Sequence, residues 1–94
     1  CPATLCPPFA VDLRYPESWS GVSLAGYMGW LVLTYAVTMT ACPVLAIPGG
    51  FTTGGLPLGL QVIGRPQGEA ALIGHGAWLE SLLGFAHLTP LDPR

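Results

Sequence analysis

Residues 48–66 read PGGFTTGGLPLGLQVIGRP and carry no charged side chain before Arg65. Five of the first twelve residues of this stretch are glycine, and an apolar run borders the loop on each side, at 44–47 and at 58–64. Alternate residues of the second run, such as Leu58, Leu60 and Val62, share one face of a strand. Two short strands joined by a loop rich in Gly and Thr predict an antiparallel β-hairpin with a long connection.

A helix is predicted on each side of this hairpin. Upstream, the length of the apolar run at residues 23–41 favours a helix over a strand, although its glycines and β-branched residues lower its propensity. Cys42-Pro43 ends this helix. Downstream, residues 66–84 change to a helical period, and Gly84 suits the position just past a helix end. The predicted apolar stripe comprises Leu72, Ile73, Gly76, Leu79 and Leu83, while Glu69, His75 and Glu80 lie away from it.

The two ends of the chain are predicted to be irregular. Pro2, Pro7 and Pro8 lack backbone donors and fix φ, so residues 1–12 are expected to be extended chain or a strand end that leads into a loop. The loop continues with a short turn at 16–19. Residues 85–94 are predicted to be a tail. The predicted order is therefore loop, helix, β-hairpin and helix, without an internal repeat.

The composition is unusual for a small free-standing domain. Only 9% of the residues are charged, against about 25% in typical domains. No Asp, Glu, Lys or Arg occurs from Ser18 to Gly64, and the chain has no lysine at all. The 27 Leu, Ile, Val and Phe residues among 94 are too many for a disordered chain. We therefore expect one incomplete domain over residues 1–94, without a second domain, buried against sequence outside this chain.

Several classes of protein and site do not fit the sequence. The net charge of −2 and the absence of a basic patch argue against nucleic acid as a partner. Cys1, Cys6 and Cys42 lack the spacing of a zinc site or a disulfide framework, and we expect no metal and no cofactor. The uncharged run at 22–47 is long enough to span a membrane, but threonines, glycines and Pro43 interrupt it. A helix buried in a cytoplasmic protein fits better, since no Lys or Arg flanks the run.

The hairpin and the helix after it carry a family resemblance. The segment CPVLAIPGGFTTGGLPLGLQVIGRPQGEAALIGHGAWLE, residues 42–80, resembles the C-terminal part of the amidase signature family, and looser similarity covers most of the chain. The residues that fall in step with the family pattern are Pro43, Pro48, Gly50, Phe51, Thr52, Gly55, Leu56, Pro57, Gly59, Gln61, Gly64 and Glu80. Two positions depart from it. Gly49 stands where Cys or Ala is usual, and Ala41 stands where Gly is usual, which is a strained change if φ is positive there.

The resemblance implies an α/β fold, in which a mixed twisted sheet is covered by helices and the hairpin is buried on both faces. It also implies a parent enzyme that hydrolyses a carboxylic amide through a Ser–cisSer–Lys triad. In that triad a serine attacks the carbonyl and the lysine moves protons. The triad lies upstream of the matching pattern, and this chain without lysine cannot complete it. We therefore expect no catalytic residue here and no activity of the chain alone.

The resemblance also implies a contribution to substrate binding. In the family, the helix before the hairpin lines the acyl side of the pocket, and this wall corresponds to Met28, Leu31 and Tyr35. Their i, i+3, i+7 spacing puts them on one helical face. Members that bind an ammonium group have an acidic residue at the position of Leu31, so leucine implies an apolar or aromatic acyl group. A plain core role for these three residues stays open.

Two kinds of function remain at this stage. The first is the C-terminal segment of an amidase, whose partners are a small-molecule amide, the upstream part of the same protein and, in the parent, a second copy in a homodimer. The second is a non-catalytic binding module, either an amidase remnant or a membrane-associated helical hairpin. A Gly/Ser-rich sequence upstream, with a lysine tens of residues before it, would distinguish the enzyme from the remnant.

Overall fold

A computed structural model describes residues 1–88, which form a small mixed α/β arrangement of two helices and two antiparallel two-stranded sheets. Strands β1 (Ser18–Trp19) and β2 (Val22–Ser23) precede helix α1 (Val32–Thr38), and strands β3 (Val44–Phe51) and β4 (Pro57–Ile63) precede helix α2 (Glu69–Leu83). Single 3-10 turns occupy Gly29–Leu31 and Phe85–His87. The predicted tail is described only to residue 88, and its last six residues lie outside the described range.

The central hairpin confirms the prediction from the glycine-rich stretch. β3 and β4 pair from Val44 opposite Ile63 to Phe51 opposite Pro57. The ladder is longer than predicted because a β-bulge between Pro48 and Gly50 lets β3 continue past the proline. Gly50 has a φ of 132°, which a side chain would strain. The connection is correspondingly shorter than predicted, at residues 52–56.

The hairpin loop is closed by its own hydrogen bonds. The Thr52 amide donates to the Leu56 carbonyl at 2.8 Å, and the Gly55 amide donates to the Thr52 carbonyl at 2.9 Å. The Thr52 hydroxyl accepts from the Leu56 amide at 3.0 Å. Gly55 takes the left-handed conformation, with a φ of 81°, that this tight loop requires. The glycines at 50 and 55 therefore serve the fold of the loop.

The first three residues extend this sheet beyond the hairpin. Pro2 forms an antiparallel bridge to Leu60 on the edge of β4. The Cys1 nitrogen donates to the backbone carbonyl of Gln61 at 2.8 Å, and the backbone amide of Gln61 donates to the Cys1 carbonyl at 2.7 Å. The Ala3 amide adds a bond of 2.9 Å to the Gly59 carbonyl. The predicted strand end therefore pairs with β4 on the side away from β3.

Helix α2 packs on the hairpin through a narrow line of residues. Leu72 and Gly76 are buried, and Leu79 and Leu83 are partly buried, as the predicted stripe required. Ile73 was predicted in the same stripe, but it is 63% exposed. It lies about 100° around the helix from Leu72, outside the contact with β3. Gly84 takes the left-handed conformation, with a φ of 69°, and ends the helix as predicted.

The prediction of a helix over residues 23–41 is wrong at both ends. Ser23 belongs to β2, since Ser20 and Gly21, with φ values of 50° and 81°, form the two-residue turn of a β1–β2 hairpin that the sequence did not indicate. The same hairpin replaces the turn predicted at 16–19. Gly26, with a φ of 66°, separates it from the first helical turn, so α1 begins only at Val32.

The downstream end of that helix stops at Thr38 because the backbone turns away at Ala41. Ala41 has a φ of 55°, so alanine is strained at this position, where the family pattern usually has glycine. The amides of Met39, Thr40 and Ala41 still donate to carbonyls of the last helical turn at 3.0–3.2 Å. The chain then enters β3 through Cys42 and Pro43.

Burial is sparse within residues 1–88. The buried apolar residues are Cys6, Leu24, Ile47 and Leu72. Within the hairpin only Ile47 and Gln61 are buried, so this part of the chain does not cover both hairpin faces. Large side chains such as Trp78, Leu82 and Met39 are exposed instead. The fold leaves a large apolar surface that residues 1–88 do not cover.

Candidate functional site

Of the three residues predicted to form an acyl-pocket wall on one helix, only Tyr35 lies in α1, while Met28 and Leu31 lie before its first residue, Val32. Met28 precedes the 3-10 turn and its carbonyl accepts from the Leu31 amide at 3.1 Å. Tyr35 follows Leu31 by four residues, which makes the two neighbours on a helix surface. Met28 is 51% exposed and Tyr35 is 38% exposed, while Leu31 is partly buried. The three positions therefore present apolar surface outward from the described part of the chain.

A large cavity lies next to this helix and is lined by other residues. It has a volume of about 640 Å³, within the range of roughly 300–1,000 Å³ that ligand pockets occupy. Residues 2–9 form one wall, and Trp30 with residues 49 and 57–60 of the hairpin forms the rest. Met28, Leu31 and Tyr35 do not line it. The cavity is thus lined by Trp30 of the 3-10 turn and by no residue of α1.

Trp30 is the centre of an aromatic cluster that the sequence did not indicate. The Phe9 and Tyr27 rings meet it edge to face, with centroids 5.3 and 6.5 Å away, and Tyr15 meets Tyr27 at 5.8 Å. Such pairs add about 0.5–1.5 kcal/mol beyond the area they bury. The buried Trp30 Nε1 has no hydrogen-bond partner within residues 1–88. Buried indole N–H groups usually have an acceptor, either from the protein or from ordered water.

Hydrogen bonds attach residues 1–5 to the hairpin, to α1 and to the 3-10 turn before α1. The buried Gln61 side chain donates from Nε2 to the Pro2 and Ala3 carbonyls at 3.2 and 3.3 Å. The Thr34 hydroxyl of α1 donates to the same Ala3 carbonyl at 3.0 Å. Two residues further on, the Leu5 amide donates to the Trp30 carbonyl at 3.4 Å. From the sequence, Gln61 had a place in the family pattern but no role.

The nucleophile and base candidates within residues 1–88 do not form a catalytic arrangement. The Ser81 hydroxyl donates to the Trp78 carbonyl of its own helix at 2.7 Å. Cys42 is partly buried, while His75 and His87 are exposed, and no hydrogen bond joins the cysteine to either histidine in the described range. Residues 1–88 also contain no group of three His, Cys, Asp or Glu that could hold a metal ion.

Cys6 differs from the other two cysteines because it is buried. Burial raises the pKa of the Cys6 thiol above its ordinary value, and a hydrogen bond with its own backbone lowers it in part. The neutral thiol is therefore the stable form at neutral pH, and it is a poor nucleophile. Cys6 lines the cavity as a small apolar group.

No helix within residues 1–88 has both the length and the apolar character needed to cross a membrane. The uncharged run that raised this alternative is divided between β2, a 3-10 turn, the seven-residue α1 and β3.

Comparison with known proteins gives one family. The amidase family model matches residues 1–73. Among curated relatives, the A-subunit of the glutamyl-tRNA(Gln) amidotransferase from Roseobacter denitrificans is 46% identical over 54 residues, which cover 57% of this chain and 11% of that protein. The protein of the same name from Granulibacter bethesdensis is 41% identical over 56 residues, 60% of this chain and 11% of its own length.

The relatives are far longer than the matched region. The chain spans about a tenth of the length of the curated relatives it matches. No solved structure matches the chain significantly.

Proposed function

The chain belongs to the amidase family, and from this we propose that it is the C-terminal part of a single, incomplete amidase domain whose complete protein cleaves the C–N bond of a carboxylic amide. The observation that carries the proposal is the family match over residues 1–73. The similarity to proteins named for amidotransferase activity supports amide chemistry of the same kind.

The catalytic groups of the proposed enzyme lie outside this chain. A Ser–cisSer–Lys triad needs a lysine as proton carrier, and the chain has none. Serines such as Ser81 lack the glycine-rich surroundings whose backbone amides would stabilise an oxyanion. In the proposal this chain therefore contributes the hairpin and part of the pocket but no catalytic residue, and it requires no cofactor.

The proposed substrate is a small amide with an apolar or aromatic acyl group. Met28, Leu31 and Tyr35 present apolar side chains in α1 and just before it, and none of them offers a charge to an ammonium group. We propose that these three residues form one wall of the acyl pocket. The partner that closes the pocket is the upstream part of the same amidase, and we propose that the complete enzyme acts in the cytoplasm.

The surface of the chain supports such a partner. The chain exposes 7086 Å², whereas a folded monomer of 9.8 kDa exposes about 5,200 Å². The surplus, roughly 1,900 Å², exceeds the roughly 800 Å² that each partner buries in a specific protein interface of standard size. The buried Trp30 Nε1 also has no acceptor in residues 1–88. Both observations fit a segment that completes its core with the rest of an amidase domain.

Activity measurements test the proposal directly. The full-length polypeptide that contains this chain should hydrolyse at least one member of a panel of aryl and aliphatic amides, and the 94-residue chain alone should match the buffer rate. A full-length protein without turnover would favour the non-catalytic remnant. Turnover by the chain alone that disappears on Cys42→Ala would contradict the assignment of catalysis to the upstream part.

The acyl-wall proposal has its own test in Leu31→Asp. The carboxylate would have to lose water when an apolar acyl group enters, so kcat/KM for an aromatic amide should fall by roughly tenfold or more. An amide with an α-ammonium group should lose least, because the ammonium can pair with the aspartate. The measurement is the ratio of kcat/KM for two amides that differ only in that amino group. An unchanged ratio would place Leu31 outside the pocket.

A further inference from the structure

We propose that Gln61 is a positioning residue that, through the carbonyl of Ala3, fixes α1 relative to the β3–β4 hairpin. The consequence for catalysis rests on the proposed function, in which α1 and the turn before it carry the acyl wall. Gln61 is the buried polar side chain of the hairpin, 7% exposed, and it lies on β4, away from α1 in the chain.

The first step is the attachment of residues 1–3 to β4. The Gln61 backbone exchanges two hydrogen bonds with Cys1, at 2.7 and 2.8 Å. Its side-chain amide adds donations to the Pro2 and Ala3 carbonyls at 3.2 and 3.3 Å. A primary amide has two N–H donors, so both contacts can be made at once. One residue therefore holds three successive residues of the edge segment.

The second step is the attachment of the same segment to α1. A carbonyl oxygen has two lone pairs, and the Ala3 oxygen accepts from Gln61 Nε2 and from Thr34 Oγ1, the latter at 3.0 Å. The Leu5 amide, two residues further on, donates to the Trp30 carbonyl. Within residues 1–88 no hydrogen bond joins α1 directly to β3 or β4. The Ala3 carbonyl is thus the point where the hairpin and the helix share a partner.

The position of α1 matters because Thr34 lies between Leu31 and Tyr35. A shift of the Ala3 carbonyl would move the hydrogen-bond acceptor of Thr34. The residues of the proposed acyl wall on either side of Thr34 would then shift as well. Displacement of a substrate-contacting group by about 1 Å can cost up to a hundredfold in rate. Gln61 would therefore act on acyl selectivity without contacting the substrate.

The sharpest variant is Gln61→Glu in the full-length polypeptide. It keeps the shape of the side chain but replaces the donating amide by a carboxylate that faces two carbonyl oxygens. Gln67→Glu is the matched control, because it makes the same chemical change at an exposed turn residue. Thr34→Val removes the other donor to Ala3 from an exposed position, and Thr34→Ser restores the hydroxyl. Thr38→Val is the control on the same helix, since its hydroxyl bonds only to the Thr34 carbonyl.

Hydrogen exchange at two amides provides the structural readout. The Ala3 amide reports the attachment to β4, and the Leu5 amide reports the attachment to the 3-10 turn that leads into α1. Gln61→Glu should speed exchange at both amides by about fivefold or more, and Gln67→Glu should change neither. Thr34→Val should speed exchange at Leu5, Thr34→Ser should not, and Thr38→Val should not. Faster exchange at Ala3 with unchanged exchange at Leu5 would overturn the proposal.

Acyl selectivity provides the functional readout. Gln61→Glu should lower kcat/KM for an amide with an aromatic acyl group about tenfold relative to one with an acetyl group, mainly through KM. An equal loss for both amides would indicate a merely structural role and would overturn the proposal. Faster exchange at the Ala3 and Leu5 amides with kcat/KM unchanged for both substrates would support the positioning role and contradict the acyl wall. A wild-type protein without turnover would contradict the proposed function, while exchange alone would decide the role of Gln61.

Discussion

At Ala41 the backbone adopts a conformation that costs energy for any residue with a side chain. Its φ of 55° lies in the left-handed region, which costs an L-residue about 1–2 kcal/mol. Ala41→Gly should therefore stabilise the full-length protein by about 0.5–1 kcal/mol, after the larger backbone entropy of glycine is subtracted.

Urea unfolding measures this gain. Ala36→Gly is the control, because Ala36 lies within α1, where the same substitution should cost about 1 kcal/mol. A loss of stability in Ala41→Gly comparable to that in Ala36→Gly would mean that the backbone at position 41 is not left-handed.

At Cys6 the pKa shift predicts how stability changes with pH. Burial raises the pKa of the thiol in the folded protein, so the unfolded chain releases this proton more readily. Stability is therefore fully present below about pH 8.5, the unfolded pKa, and falls as the pH rises through the pKa of the folded state. Unfolding by urea at neutral and alkaline pH should show this fall, and Cys6→Ala should reduce it. Cys6 should also react with a thiol reagent more slowly than the exposed Cys1.

At the scale of the elements, two glycines of α2 allow the effect of packing on stability to be measured separately from the effect of helix propensity. A Cβ at Gly76 would overlap Leu45 Cδ2, whereas a Cβ at Gly74 would meet nothing within 4 Å. Gly74→Ala should stabilise the protein by about 0.5–1 kcal/mol through propensity alone. Gly76→Ala should instead destabilise it by about 1–3 kcal/mol, because the Leu45 side chain must change rotamer or α2 must move away from β3.

The two variants are compared by urea unfolding under identical conditions. Leu45→Ala should relieve part of the cost of Gly76→Ala in the double variant, since it removes the atom that the new methyl group meets. Equal effects of Gly74→Ala and Gly76→Ala would contradict the close approach of α2 to β3.

The elements that the sequence predicted best are those set by local chemistry. The glycine-rich loop and the apolar runs predicted the hairpin, and helical periodicity with Gly84 predicted α2. The first helix was predicted too long. The uncharged run has no hydrophobic periodicity that would distinguish the residues of β2, of the 3-10 turn and of α1. Ser20 and Gly21 form a two-residue hairpin turn, but such a short hairpin has too few alternating residues to be recognised.

The site was less predictable than the fold. Spacing placed Met28, Leu31 and Tyr35 on one helix, but only Tyr35 lies in α1, because the backbone before Val32 forms a 3-10 turn. The contacts of Gln61 with residues 1–3 join positions about 60 residues apart, and no local pattern indicates such a pairing. The aromatic cluster around Trp30 depends on the same long-range packing.

At the scale of the whole molecule, the chain is more open than a domain of its length. Its radius of gyration is 15.1 Å, against about 13 Å for a compact domain of 100 residues. The helix α2 has apolar or small side chains on its exposed side as well as its buried side, which is typical of helices enclosed in a larger protein. In our proposal, the rest of an incomplete amidase domain covers this surface.

The 94-residue chain on its own should therefore be loosely packed or poorly soluble. Its uncharged run from Ser18 to Gly64 exposes large side chains such as Met39, Phe51 and Leu56, and apolar patches beyond a few hundred Å² promote association. The isolated chain should bind a dye specific for exposed apolar surface strongly and should show a broad thermal transition. The full-length polypeptide, at equal molar concentration, should bind little dye, since the same surface is covered there. A monomeric 94-residue chain with a sharp cooperative transition and no dye binding would show that residues 1–94 form a complete core, and the proposal of an incomplete domain would then be wrong.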